Sequence, residues 1–183
     1  MGFSCQNFCL TITGGVGTNE PYGSPYSSTI DYYWNYYYKT ITIRTDTPLT
    51  ISGTGEYNAN IIVNNSGWSY LTFDNLTLNE DGGCVILNPN SRPDLTLVGT
   101  NTLTANQYTE YGVVKKSPAI SLNNSNTYLW INKNSTGSLT ATSNCEGMSG
   151  IGTSNETDTV YGFTMKGGTV TAKRPCKFKK SRS

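Results

Sequence analysis

One short pattern recurs along the chain: an apolar residue, then threonine, then a second apolar residue. It occurs seven times, centred on Thr11, Thr42, Thr50, Thr72, Thr77, Thr96 and Thr164. Composition alone would produce about one or two copies by chance, so the excess reports structure. A strand-like triplet that recurs along a chain is typical of repeat architectures, and it constrains the possible folds more than any other feature.

The best copies align on their first apolar residue, at Leu10, Leu49, Leu71, Leu95, Leu129 and Phe163. A second row lies between them, at Ile61, Val85, Ile120 and Ile151, and a third reads TLTA, SLTA and TVTA at 102–105, 138–141 and 169–172. Short strands that return at these intervals predict an all-β fold, a parallel β-helix (solenoid) of about six coils. Its longer intervals would hold loops inserted at turns, where they leave the strand ladder intact.

Strand alternation assigns the faces of the predicted coils. The first and third residue of each triplet would point inward, and the middle residues would form an outward column: Thr11, Thr50, Thr72, Thr96, Trp130 and Thr164. The alternative is a β-sandwich, which also has short strands and Gly-rich turns. A sandwich does not require the same triplet to recur with turn residues at matched positions, so the β-helix is favoured.

The distribution of charged residues divides the chain into an acidic body and a basic C-terminal tail. Six of the thirteen Lys and Arg residues lie in the last eleven residues, so the rest of the chain is acidic on balance. We predict one β-helix domain over 1–173 and a basic, solvated tail over 174–183. The body has no basic stripe and no long apolar run, so neither a nucleic-acid partner nor a membrane span is expected.

The absence of histidine limits the chemistry. A nucleophilic cysteine would have no imidazole base, so the five cysteines are interpreted as buried small residues or as disulfides whose pairing stays open. We expect no enzyme activity; a polysaccharide lyase or hydrolase would be the enzymatic alternative. No cofactor is required, but Glu80 and Asp81 could approach Glu56 on the preceding coil and form a calcium site.

The most unusual segment is the Tyr-rich insertion at 22–40. Six aromatic residues lie within seven of its positions: Tyr32, Tyr33, Trp34, Tyr36, Tyr37 and Tyr38. One interpretation is a cap over the open end of the coils, which needs protection against edge pairing. The other is a platform on which sugar rings stack, because flat aromatic rings with polar edges suit such contacts. Trp130, outward in the predicted threonine column, is the second candidate for carbohydrate binding. Trp68, Tyr70 and Tyr128, near turns, are named with it, and an ordinary packing role is the alternative for each.

A family resemblance supports the repeat. Residues 137–173, GSLTATSNCEGMSGIGTSNETDTVYGFTMKGGTVTAK, resemble GSLTA, GIG and GGTVTA repeats, and 46–105 is similar to the same group. These are the secreted, right-handed parallel β-helix proteins called "carbohydrate-binding domain-containing", and the likeness spans about residues 40–173. It implies an extracellular or cell-surface location and binding of polysaccharide, assisted by calcium. The chain departs from the pattern at Met148 and Ser149, and the Tyr-rich insertion has no counterpart in it.

These observations favour a non-catalytic carbohydrate-binding or adhesive surface module. The alternative is a structural subunit of an extracellular fibre or surface assembly, because the ends of a solenoid present unpaired strands that favour end-to-end self-association. Ice binding by the outward threonines is a weaker idea, since Trp130 interrupts the column.

Overall fold

The computed structural model describes residues 9–14, 26–28, 32–35, 40–56, 60–122, 126–154 and 162–174. Within these ranges every regular element is a β-strand, which confirms the all-β class. The strands are β1 Cys9–Gly14, β2 Tyr26–Ser28, β3 Tyr32–Asn35, β4 Thr40–Ile43, β5 Leu49–Glu56, β6 Asn60–Val63, β7 Trp68–Asp81, β8 Val85–Leu87, β9 Arg92–Val98, β10 Thr100–Asn106, β11 Tyr108–Glu110, β12 Val113–Lys115, β13 Ile120–Leu122, β14 Tyr128–Ile131, β15 Ser138–Ser143, β16 Ile151–Gly152, β17 Gly162–Met165 and β18 Thr169–Lys173.

Two large sheets contain most of these strands, and β11 and β12 form a separate hairpin. The first sheet has the order β17-β14-β9-β7-β10-β15-β18, with β5 on β7 and β1 on β5; the second has the order β16-β13-β8-β6-β4-β3-β2. In both sheets the strands from β4 onward pair in parallel. Parallel pairing does not fit the antiparallel sheets of a β-sandwich.

The first sheet has two halves that share the long strands β5 and β7. The first part of β7 pairs with β9, and its second part pairs with β10. We call the two parts the aromatic half (49–52, 68–74, 92–98, 128–131 and 162–165) and the threonine half (53–56, 76–81, 100–106, 138–143 and 169–173), after their outward side chains. Asn75 and Gly99, both with positive φ, lie at the junction between the halves.

Much of the predicted register is confirmed. In the second sheet Ile61, Val85, Ile120 and Ile151 face one another on successive strands. In the aromatic half Leu49, Leu71 and Leu95 do the same. Except for Ile151, which is partly buried, these residues belong to one continuous apolar core. The core forms because alternate residues of each strand point inward and stack on their equivalents in the next strand.

The predicted register is wrong by two residues between β9 and β14. Leu95 faces Ile131 and not Leu129, and Thr102 of β10 faces Thr140 and not Ser138. A shift of two residues keeps every side chain on its face of the sheet, so an alternating pattern cannot reveal it. As a result Trp130 lies beside Asp94 and outside the column that contains Thr96.

The first triplet is also placed differently from the prediction. The sequence aligns Leu10 with Leu49 as parallel equivalents, but β1 runs antiparallel to β5 and Leu10 faces Gly53. An alternating triplet reads the same in both directions, so its pattern does not encode the direction of the strand. In the second sheet β3 likewise runs antiparallel along β4, and the side chain of Tyr32 enters the core with 0% exposed.

Asn101 joins the two halves of the first sheet from inside. Its buried side chain accepts a hydrogen bond from the Leu76 N–H (2.9 Å) and donates to the carbonyl oxygens of Val98 and Ser138 (3.0 Å each). These three backbone groups lie where the strands bend and the regular ladder is interrupted, and buried backbone groups need partners. In the described part of the chain no helix is long and apolar enough to cross a membrane.

Candidate functional site

The outward face of the aromatic half collects aromatic, charged and amide side chains from four strands and the residues that follow them. Strand alternation points them away from the core, and the register brings them together. We call this group the aromatic cluster; its members are Trp68, Tyr70, Arg92, Asp94, Tyr128, Trp130, Asn132 and Lys166.

Trp130 lies at the centre of the aromatic cluster and supports Trp68. The two indole rings meet edge to face, with 5.5 Å between centroids and 62° between planes. Lys166 Nζ lies 4.6 Å from the centroid of the Trp130 ring, a distance at which the ammonium group attracts the ring face. Trp130 is half-buried, whereas Trp68 is 38% and Tyr70 45% exposed, so Trp68 and Tyr70 offer the most accessible rings.

Asp94 and Asn132 supply oriented polar groups beside these rings. Asn132 Nδ2 donates to both carboxylate oxygens of Asp94, at 3.0 and 2.9 Å. Asn132 Oδ1 accepts from the backbone N–H of Asn134 at 2.8 Å, which holds the amide in this orientation. A carboxylate has about four lone-pair positions, so Asp94 keeps the capacity to accept hydrogen bonds from a ligand.

The margin of the aromatic cluster is formed by Arg92 and Tyr128. The guanidinium carbon of Arg92 lies 5.7 Å from the centroid of the Tyr128 ring. Tyr128 faces Gly162 on β17, and a Cβ atom at Gly162 would collide with the Tyr128 ring. The ring therefore covers the glycine, as aromatic residues do over glycine in other sheets. Gly162 thus allows the position that Tyr128 adopts.

These groups fit stacking and hydrogen bonding better than covalent chemistry. The flat aromatic rings can stack on the C–H face of a hydroxylated ring. The carboxylate–amide pair can form hydrogen bonds with its O–H groups. A charge-assisted hydrogen bond to Asp94 would fix the orientation of the ligand.

The Tyr-rich insertion is described only in part. Tyr32 is buried, so its ring is not available to a ligand. Tyr33 is half-buried, with the guanidinium carbon of Arg44 5.8 Å from the centroid of its ring. The backbone of Trp34 faces Ile41, and its side chain lies outside the described atoms. The remaining candidates, Tyr36, Tyr37 and Tyr38, lie outside the described residues.

The three candidate calcium ligands lie on neighbouring strands. Glu56 faces Asn79 through its backbone, and its side chain is outside the described part. Glu80 is buried, whereas the adjacent Asp81 is exposed, because successive residues of a strand point to opposite faces. The structure therefore does not bring Glu80 and Asp81 together on one face. Within the described ranges no group of three or more Cys, Asp or Glu side chains is suitable for holding a metal ion.

Two of the cysteines, Cys84 and Cys145, are buried free thiols. Cys84 Sγ donates to the carbonyl oxygen of Thr104 at 3.1 Å. Burial, together with the nearby carboxylate of Glu80, raises the pKa of the Cys84 thiol far above its usual range. A reactive cysteine needs a lowered pKa, so Cys84 acts as a small core residue. Cys5, Cys9 and Cys176 lie outside the described side chains.

The sequence points to Trp130, and to Trp68, Tyr70 and Tyr128 as aromatic residues near turns, but it does not identify the polar members Arg92, Asp94, Asn132 and Lys166. Only the correct register shows that these residues meet. A useful signal was present: WSY at 68–70 and YLW at 128–130 both place two aromatic residues on the same face of a strand.

Comparisons of the chain with models of known families, with curated protein sequences and with solved structures find no match. The resemblance to carbohydrate-binding β-helices therefore rests on the repeat residues alone. Fold and geometry define an all-β protein with largely parallel sheets and an outward aromatic cluster.

Proposed function

We propose that this protein is a right-handed parallel β-helix that binds carbohydrate outside the cell, through the aromatic cluster. The observation that carries the proposal is the pair of exposed rings, Trp68 and Tyr70, beside the hydrogen-bonded Asp94 and Asn132. Solvent-facing rings contribute little to a core, so their grouping on one face points to a ligand.

The β-helix architecture is supported by the order of the parallel strands. The described strands return five times from the second sheet to the aromatic half, and each return adds a strand next to the previous one: β5, β7, β9, β14 and β17 after β4, β6, β8, β13 and β16. The chain passes next into the threonine half and then back to the second sheet. Such a cycle of three strands per repeat is what a coil of a parallel β-helix requires.

A binding role is proposed in preference to catalysis. The chain contains no histidine. Asp74 is an outward carboxylate of β7, and the residues beside it on the neighbouring strands are Ser52 and Val98. Asp94 is engaged by Asn132. Glycosidases use two carboxyl groups facing one bond, and neither aspartate has a described carboxylate opposite it in the register.

The test is binding to a panel of neutral and acidic polysaccharides, each measured with calcium and with a chelator. We expect Trp68→Ala and Tyr70→Ala each to weaken binding about tenfold, which corresponds to about 1.4 kcal/mol. Tyr111→Ala is the matched control, because Tyr111 is 98% exposed but lies at the tip of the β11–β12 hairpin. Its affinity should equal that of the wild type.

Two results would contradict the proposal. One is a lack of binding to every polysaccharide in the panel. The other is binding that Trp68→Ala and Tyr70→Ala leave unchanged, which would move the site elsewhere. A loss of affinity on calcium removal, with the circular dichroism spectrum unchanged, would support calcium as part of the binding.

A further inference from the structure

The hairpin of β11 and β12 carries the most exposed large apolar side chains in the described part of the chain. Tyr111 is 98% exposed, Val113 56% and Val114 53%. Exposed apolar residues that are scattered singly need no explanation, but these three lie within four consecutive positions. The tip of the hairpin is therefore an apolar patch in contact with solvent.

The apolar side chains of this patch point in different directions. Among the described strands β11 and β12 pair only with each other, and Val113 faces Glu110 whereas Val114 faces Thr109. Successive residues of a strand point to opposite faces, so Val113 and Val114 project from opposite sides of the hairpin. Tyr111 lies at the tip between the strands. A flat protein surface laid against the hairpin would cover one valine and leave the other in solvent.

The loop of the hairpin has a tyrosine where its backbone favours other residues. Tyr111 and Gly112 form a two-residue loop, and both have positive φ, 49° and 76°. Such a loop favours asparagine, aspartate or glycine at its first position, because bulky side chains are disfavoured at positive φ. The Tyr111 ring is almost fully exposed, so packing does not offset this cost. Folding alone therefore does not account for the ring.

Two lysines follow the apolar residues toward the base of the hairpin. Lys115 ends β12 and Lys116 is the next residue. Lys115 Nζ lies 3.8 Å from Glu110 Oε2, so the charge of Glu110 is balanced and Lys116 leaves the hairpin positive on balance. Apolar side chains that enter a lipid surface while lysines stay at the headgroups are typical of segments that bind at a membrane interface. Tyrosine is also enriched at that depth.

We propose that the β11–β12 hairpin inserts its tip into the surface of a phospholipid bilayer. Tyr111, Val113 and Val114 enter the interface together, and Lys115 and Lys116 lie at the headgroups. A bilayer surrounds the tip without needing a complementary shape, whereas a protein partner would need a pocket that encloses it. The aromatic cluster belongs to another sheet, so this proposal does not depend on carbohydrate binding. Three side chains bury less apolar surface than a myristoyl chain, so we expect an association constant below about 10⁴ M⁻¹.

The experiment is co-sedimentation of the full chain with vesicles of phosphatidylcholine and phosphatidylserine in equal parts, at millimolar lipid. Tyr111→Asn should weaken binding roughly tenfold. Its melting temperature should stay the same or rise, because asparagine suits the positive φ of the loop. Adding Val113→Thr and Val114→Thr, which keep the β-branched shape, should abolish binding. Glu110→Gln should strengthen binding roughly fivefold, since it removes a negative charge beside an anionic surface.

The matched control is Val98→Thr, the same substitution at an exposed valine of the first sheet, and it should bind vesicles like the wild type. Circular dichroism and thermal melts verify that each variant is folded. A wild type that does not sediment with vesicles overturns the proposal, as does binding that the triple hairpin variant retains. Sedimentation equilibrium without lipid covers the other occupant: a wild type that ignores vesicles but forms a dimer, lost in the triple variant, would assign the hairpin to a second copy instead.

Discussion

The outward side chains of the aromatic half include four aromatic rings, whereas those of the threonine half include none and are mostly hydroxyls and amides. In the threonine half a single column runs through Thr54, Thr77, Thr102, Thr140 and Thr171. The two halves share β5 and β7 and enclose the same core.

The difference between the outward side chains of the two halves shows which of them strand stability explains and which it does not. Threonine is a good strand former on a solvated face, so the threonine half needs no explanation beyond strand stability. Trp68 and Tyr70 occupy outward strand positions like those of the threonines. A smaller polar residue would stabilise the strand equally well at these positions. The proposed ligand would account for these exposed rings, which strand stability does not require. The predictions below test the contrast between the two halves.

The largest expected effect concerns the residue that joins the two halves. Asn101→Leu removes the hydrogen bonds to the buried Leu76 N–H and to the partly buried Val98 and Ser138 carbonyls, and leaves all three groups without their side-chain partner. We expect the free energy of unfolding to fall by about 3 kcal/mol, measured by urea denaturation. Asn144→Ala is the control: Asn144 also donates a side-chain hydrogen bond, to Asn106, but it is exposed, so its loss should be about 0.5 kcal/mol. Equal losses in the two variants would contradict this assignment.

A smaller effect is expected at the edge of the aromatic half. In Gly162→Ala the new Cβ would collide with the Tyr128 ring, which must move away from Arg92. We expect a loss of stability of about 1 kcal/mol, together with a changed near-ultraviolet circular dichroism signal.

The control for this prediction is Gly67→Ala, next to Trp68. A Cβ at Gly67 would have no atom within 4 Å. Its stability should stay within about 0.5 kcal/mol of the wild type. A Gly162→Ala variant as stable as Gly67→Ala, with an unchanged spectrum, would show that Tyr128 does not need the glycine.

The sequence predicted the core columns well, because the period of two and the apolar residues at Ile61, Val85 and Ile120 reflect burial directly. The same period could not predict two other properties. The period does not report strand direction, so it aligns Leu10 in parallel although β1 runs antiparallel. It also does not report a shift of two residues, so it aligns Trp130 with Thr96. Both properties depend on pairing between distant segments, which a local pattern does not contain.

The candidate site was predicted less well for the same reason. Asp94 lies between Tyr70 and Trp130 on neighbouring strands, and this placement follows only from the shifted register. The Tyr-rich insertion attracted attention by composition, but composition does not tell which ring turns inward, and Tyr32 is the one that the structure places in the core.

The smallest expected effect concerns Tyr108, at the margin of the threonine half. Burial raises the pKa of the Tyr108 phenol above its usual value near 10, and the carboxylates of Glu110 and Asp81 raise it further. The folded state therefore keeps this proton longer than the unfolded state does. The resulting stability is fully present below the unfolded pKa and is lost as the pH rises toward the folded one.

Glu110→Gln removes one of the two carboxylates, so we expect the pKa of Tyr108 to fall toward its usual value. The measurement is the ultraviolet titration of tyrosine ionisation, taken as the difference between each protein and its Tyr108→Phe counterpart. Asp46→Asn is the control, because Asp46 is exposed and is not among the groups that act on Tyr108. A titration that Glu110→Gln leaves unchanged would mean that Glu110 has no influence on Tyr108, and that burial and Asp81 account for the raised pKa.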